Sequence, residues 1–265
     1  MRRGVGLGNY IAVDSPVHAL DPAAKLGIVS AFTVGLFTAG TFPGLTLLAV
    51  TVIVGTLAAS VPISAALRGV RTVSLILVLT ILANALRWEP ATVALVRVGP
   101  LAVDGEGLAS GVFFAVRIVL LVVGTSLLTL TTSPVELAGG IERVFAPLRW
   151  LRVPVGDLAM TLTIALRFIP TTVEEADRIM TAQTARGARF DRGGPIARAR
   201  AYAPVLVPLF FNLFRRADEL ATAMEARCYR GSDGRTQLRE SRMRPADWAS
   251  LLVAGILLIA TGVAL

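Results

Sequence analysis

The 265 residues spell out an all-α integral membrane protein, with about five transmembrane helices and further long helices on the cytoplasmic side. Hydrophobic residues make up 54% of the chain and the mean hydropathy is +0.69, values suited to a lipid solvent. Leu26–Leu67 and Trp248–Leu265 carry no charge at all. The charges are gathered elsewhere: 18 of the 26 Lys and Arg and 12 of the 18 acids lie between Val135 and Ala246. That block must be largely wetted. A net charge of +8 then reads as positive residues collected on the cytoplasmic side. The lipid bilayer is the expected surrounding, and a nucleic acid is not an expected partner.

Each element follows in order. The start, MRRGVGLGNYIAVDSPVHALDPAAK, has no apolar run before Leu26, so it does not read as a cleaved signal peptide. Asp21-Pro22 is a helix start, with proline where its missing N–H is harmless. The uncharged Leu26–Leu67 run is too long for one crossing and sufficient for two, turning at Thr41-Phe42-Pro43-Gly44. Val70–Leu86 is a short third span, and Glu89–Gly107, with Gly99-Pro100 and Gly105, is expected as a loop. Leu108–Thr132 is the fourth span, interrupted by Arg117. Two readings of Arg117 stand: a buried contact with Asn84 as polar neighbour, or an arginine reaching the near interface. Ser133, Pro134 and Glu136 start a helix that ends before Pro147, and another begins at Pro154. Pro170, Pro204 and Pro208 predict kinks or breaks in the long helices that follow, and Gly193-Gly194-Pro195 marks a basic turn between them. Trp248–Leu265 is the last span.

Within the wetted block a pattern is written twice, EEADRIMTAQTARG at Glu174–Gly187 and RRADELATAMEARC at Arg215–Cys228. The copies share Ala176/Ala217, Asp177/Asp218, Thr181/Thr222, Ala182/Ala223, Ala185/Ala226 and Arg186/Arg227. On a helix, Ile179, Ala182 and Arg186 share one face, as do Leu220, Ala223 and Arg227. Each face ends in an arginine, followed in the first copy by Gly187, a residue suited to a left-handed cap, and in the second by Cys228. Small residues behind a cationic tip suit docking.

The arginines also orient the chain. Residues 135–246 and the N-terminus, with Arg2, Arg3 and Lys25, are expected inside, as is the Arg68–Arg71 loop. The Glu89–Gly107 segment and the C-terminus are expected outside. The predicted organisation is thus a membrane region over 1–134 with four spans, a cytoplasmic region over 135–246 with the two arginine-tipped helices, and a C-terminal transmembrane helix over 247–265.

Gly8-Asn9-Tyr10-Ile11, Asp14-Ser15-Pro16, Leu20-Asp21-Pro22 with Lys25, Leu130-Thr131-Thr132-Ser133-Pro134, Ala165-Leu166-Arg167-Phe168-Ile169-Pro170, Ala182-Gln183, Ala185-Arg186-Gly187 and Ala226-Arg227 occur in that order. In this order and setting the chain resembles the transmembrane T component (EcfT family) of energy-coupling factor (ECF) transporters along nearly its whole length. The resemblance implies a membrane scaffold that joins two ABC-type ATPase subunits, as a homo- or heterodimer, to a substrate-binding S component capturing a vitamin or a transition-metal ion. It further implies that Ala185, Arg186, Gly187 and Ala226, Arg227, Cys228 end cytoplasmic coupling helices and dock on the ATPases. The second motif departs from the family pattern at Cys228. The substrate is then chosen by another polypeptide.

Other function classes fit less well. No phosphate-cradling Gly-Lys-Ser/Thr loop occurs, so ATP hydrolysis is expected on the partners and no catalytic residue is expected here. Neither a cofactor nor a metal is expected: Cys228 is the single cysteine and His18 the single histidine, a turn or surface residue. A self-sufficient secondary transporter, the alternative, would show two related halves around a midplane site, whereas this repeat lies in the wetted block. Asp177 and Asp218 are expected to be solvated or paired with neighbours such as Arg178 and Arg216.

Overall fold

The computed structural model describes residues 10–11, 13–87, 94–98, 101–151, 153–190, 194–231 and 243–263. In chain order the elements are α1 (Pro22–Thr38), α2 (Phe42–Ala58), α3 (Ile63–Ala66), α4 (Arg68–Ala85), β1 (Leu86–Arg87), β2 (Ala94–Val98), β3 (Leu101–Asp104), α5 (Gly105–Thr131), α6 (Pro134–Val144), α7 (Val155–Ala185), α8 (Pro195–Ala201), α9 (Ala203–Ala226) and α10 (Pro245–Val263). A 3₁₀ turn over Ala146–Leu151 precedes α7. The chain divides into two compact units, one of Gly8–Val144 with Glu240–Leu265 and the other containing Phe145–Arg239.

In the first unit, α4, α5 and α10 are long and apolar enough to cross a membrane, and α1 and α2 are shorter apolar helices. At 17 residues each, α1 and α2 sit at the lower end of spanning length. Their buried residues Leu36, Leu45, Leu48 and Val52 meet Leu120, Val123 and Leu130 of α5 in one cluster. Leu75 on α4 and Ile259 on α10 are instead 79% and 67% exposed. Apolar side chains on the outside and a packed apolar core belong to a membrane protein.

Glycine lets α5 close on α4. A Cβ on Gly107 would stand 2.3 Å from the Asn84 carbonyl oxygen, and one on Gly111 3.0 Å from Ile81 Cα. Near the other end of α4, a Cβ on Gly69 would meet Val122 of α5. The pair is therefore antiparallel, with backbones at van der Waals distance. Arg117 solves its own problem in this interior. Its guanidinium donates to the carbonyl of Ala39, just past the C-terminus of α1, and stands 4.9 Å from the Phe113 ring centroid and 5.6 Å from that of Phe114. A cation at the negative end of a helix, stacked on aromatic faces, is stabilised twice. Among the described residues no hydrogen bond joins it to Asn84, whose amide donates to Thr80 O in its own helix at 2.8 Å.

The Glu89–Gly107 loop needs correcting. Where that segment is described, it holds β2 and β3, which with β1 form an antiparallel sheet in the order β1-β3-β2, Leu86 facing Val103 and Val98 facing Leu101. Ala94–Val98 ends in Val-Arg-Val alternation, a short strand signal just ahead of the turn residues Gly99-Pro100.

A buried polar knot fixes one end of this unit. Asp21 caps α1 by accepting from the Ala23 amide at 2.8 Å, and its second oxygen pairs with Arg143 of α6. Asp247, 2% exposed, accepts from the Asp21 amide at 2.8 Å and from the Arg244 amide at 2.6 Å. Lys25 donates to the carbonyls of His18 and Thr131 at 3.1 and 3.0 Å. The starts of α1 and α10 and the end of α5 thus meet, so α1 and α10 run parallel. α6 begins with a reciprocal capping box, Ser133 N–H to Glu136 and Glu136 N–H to Ser133 Oγ, at 3.0 and 3.3 Å. His18 is a turn residue: Nδ1 meets Ser15 Oγ at 2.7 Å and Nε2 meets Ile11 O at 3.0 Å.

Candidate functional site

The second unit is built on two long helices. α7 has 31 residues, about 46 Å of helix, and continues through Pro170. α9 has 24 residues, places Pro204 in its first turn and passes through Pro208. The break expected near Pro204 falls at Tyr202, between α8 and α9.

Three contacts set how the two helices cross. The Gln183 amide donates to Pro204 O at 3.5 Å, the Asn212 amide to Glu175 Oε1 at 3.1 Å, and the Arg216 guanidinium to Thr171 Oγ1 at 3.1 Å. As one residue number falls the other rises by the same amount, which is an antiparallel crossing in constant register. Arg216 also stands 5.8 Å from the Phe168 ring centroid. These pairings across the two helices were not expected from the sequence, although Asn212 is the only amide in the uncharged Ala201–Phe214 run. Asp177 and Asp218 are exposed, and among the described residues neither pairs with Arg178 or Arg216. Their backbone carbonyls accept from Thr181 and Thr222, each at 2.8 Å.

Both helices end in the same way. The amides of Gly187 and Ala188 donate to the carbonyls of Thr184 and Gln183, both at 2.9 Å. At the equivalent place, Cys228 donates to Glu225 O at 2.8 Å and Tyr229 to Met224 O at 3.0 Å. These paired closures are Schellman caps. Each needs a left-handed residue, and the chain supplies Gly187 at φ +91° and Cys228 at φ +55°. Cys228 therefore takes the conformation of the glycine it replaces. Gly231, the later glycine, also has positive φ, +92°.

The caps leave the tips outward. Ala185, Arg186, Gly187, Ala226, Arg227 and Cys228 are all exposed. Among the described residues, no ion pair or side-chain hydrogen bond engages the guanidinium of Arg186 or Arg227. On the observed register Arg186 lies across from Ala201, so about 26 residues of helix, on the order of 40 Å, separate it from Arg227 along the pair. Two like tips stand at opposite ends of one antiparallel unit. Behind them, α9 shows an apolar face, with Val207, Phe210, Phe211 and Phe214 all more than half exposed.

Residues 14–238 match the family model described as cobalt transport protein, CbiQ. The chain is 46% identical over 257 residues to the energy-coupling factor transporter transmembrane protein EcfT of Thermosediminibacter oceani, covering 97% of this chain and 96% of that one. It is 43% identical over 260 residues to the protein of the same name from Heliobacterium modesticaldum, with 98% and 97% covered. Against the Listeria innocua protein of that name identity is 41% over 251 residues, with 95% and 94% covered. Apolar spans, a repeated arginine-tipped helix pair and full-length similarity converge, and the chain belongs to the EcfT family of transmembrane components of energy-coupling factor transporters.

Proposed function

We propose that this T component is the scaffold through which two ABC-type ATPase subunits drive a substrate-binding S component for vitamin or transition-metal uptake. The reading rests on one observation above all: two exposed arginines with no side-chain partner among the described residues, set in matching caps at the two ends of an antiparallel helix pair. A helix end is a rigid part, and two ends far apart suit two ATPase surfaces. Each guanidinium would take a bidentate, charge-assisted pair with an ATPase carboxylate. Closure of the ATPases on ATP then shifts α7 and α9 together, and the S component, packed on exposed apolar surface such as the Phe210–Phe214 face of α9, tilts or is released. ATP is hydrolysed by the partners, and this chain itself catalyses nothing. Residues 135–246 and the N-terminus face the cytoplasm in this scheme.

The double variant Arg186→Glu with Arg227→Glu is expected to insert normally, lose the ATPases on purification and lose transport. Each single variant removes a contribution of about 1.5–3 kcal/mol, a weakening of roughly 10- to 150-fold in ATPase affinity. Full ATPase stoichiometry in the purified double variant would refute the docking assignment.

A further inference from the structure

Gln183 serves the first tip twice. Its backbone carbonyl accepts from the amides of Arg186 and Ala188 at 3.1 and 2.9 Å, which closes the cap that sets Arg186 and Gly187. Its side chain reaches out of α7 and donates to the carbonyl of Pro204, in the first turn of α9. That carbonyl is open for a reason written in the sequence. In a regular helix Pro204 O would accept from the residue four places on, which here is Pro208, and proline has no N–H. The missing helical bond leaves an acceptor for a donor from α7, and Gln183 supplies one at 3.5 Å, the long end of the hydrogen-bonding range.

A second contact lies on the far side of the same tip. The rings of Phe190 and Tyr202 pack with centroids 5.1 Å apart and planes tilted by 36°, and Tyr202 is the break between α8 and α9. Gln183 and Phe190 thus bracket Arg186, and both are held by the start of α9. The other copy of the pattern differs at both places: Met224 stands where Gln183 does, and Gly231 where Phe190 does. A thioether has no N–H to donate, and glycine has no ring.

We propose that Gln183 is a positioning residue for the Arg186 tip, tying the cap of α7 to the acceptor that Pro208 leaves open in α9, with Phe190 on Tyr202 closing the clamp. The first tip then moves with the start of α9, and the matching positions at the Arg227 tip supply no such clamp. The consequence for energy coupling rests on Arg186 docking on an ATPase, whereas the clamp itself is tested without the ATPases.

The test uses the full-length chain in detergent, with amide hydrogen exchange read by mass spectrometry over residues 184–190 and 225–230. Gln183→Met copies the residue of the second helix and keeps the side chain's length. It is expected to speed exchange at the first cap about two- to fivefold, as the loss of one hydrogen bond would, and to leave the second cap unchanged. Adding Phe190→Ala is expected to speed the first cap further. In Pro208→Ala the new N–H satisfies Pro204 O within α9, so there Gln183→Met is expected to have about half its effect or less. Met224→Leu is expected to leave both caps as they are. Once the ATPase subunits are added, Gln183→Met is expected to weaken their association about two- to fivefold, with no further loss in an Arg186→Glu background. Neither Gln183 nor Pro208 is buried, so these variants are expected to fold. Unchanged exchange at the first cap in Gln183→Met, or its full effect in Pro208→Ala, overturns the clamp. Weaker ATPase association in Arg186→Glu but not in Gln183→Met overturns the positioning role. Faster exchange in Gln183→Met, with association indifferent to Arg186→Glu, supports the clamp and refutes the docking of Arg186 instead.

Discussion

Cys228 occupies a backbone conformation in which an L side chain is strained by roughly 1–2 kcal/mol. The Schellman cap around it forms nonetheless, with both closing hydrogen bonds at 3.0 Å or less, because the cap satisfies carbonyls that would otherwise be orphaned. Cys228→Gly is therefore expected to raise stability by up to about 1 kcal/mol, net of the greater freedom glycine gives the unfolded chain. The measurement is thermal unfolding in detergent. Cys228→Val, β-branched and worse at positive φ, is expected to lower the melting temperature. The repeat made this position legible, since offsetting the copies places Cys228 on Gly187. What a sequence does not carry is whether the cap survives the exchange, which depends on hydrogen bonds closed by the following residue, Tyr229. Arg117 teaches the converse. Its position inside an apolar run marked it, but its partner is a backbone carbonyl, and every residue type offers one of those.

At the scale of elements, the five apolar helices were legible because lipid demands long uncharged runs and few other pressures produce them. The small sheet was not, because short strands carry a weak pattern easily masked by turn residues. Nor was the crossing of α7 and α9, which rests on a few polar contacts such as Glu175 with Asn212. The buried knot holds α10 in place through a single carboxylate. Asp247→Ala would leave the amides of Asp21 and Arg244 buried or half-buried without their acceptor, at about 1–3 kcal/mol each. A clear drop in melting temperature and faster proteolysis ahead of α10 are expected. Asp247→Asn keeps one acceptor oxygen and is expected to fall between. An unchanged melting temperature for Asp247→Ala would show that the knot does not anchor α10.

For the whole molecule, a membrane unit and an arginine-tipped unit are joined in one chain, and the sequence of neither carries a Gly-Lys-Ser/Thr loop. Such a division makes sense where work arrives from other subunits. In the proposed docking the energetic demand on the tips is modest: two charge-assisted contacts of a few kcal/mol each would suffice to hold a complex at working affinity only if both engage together, as linked sites do. This is why two copies, set far apart and capped alike, say more than either alone.

Cys228, the chain's single cysteine and exposed at the second tip, provides the decisive readout. An impermeant maleimide applied to inside-out membrane vesicles is expected to label Cys228 readily in the chain alone and only poorly once the ATPase subunits are assembled on it. Equal labelling with and without the ATPases, or labelling only in right-side-out vesicles, would contradict the account.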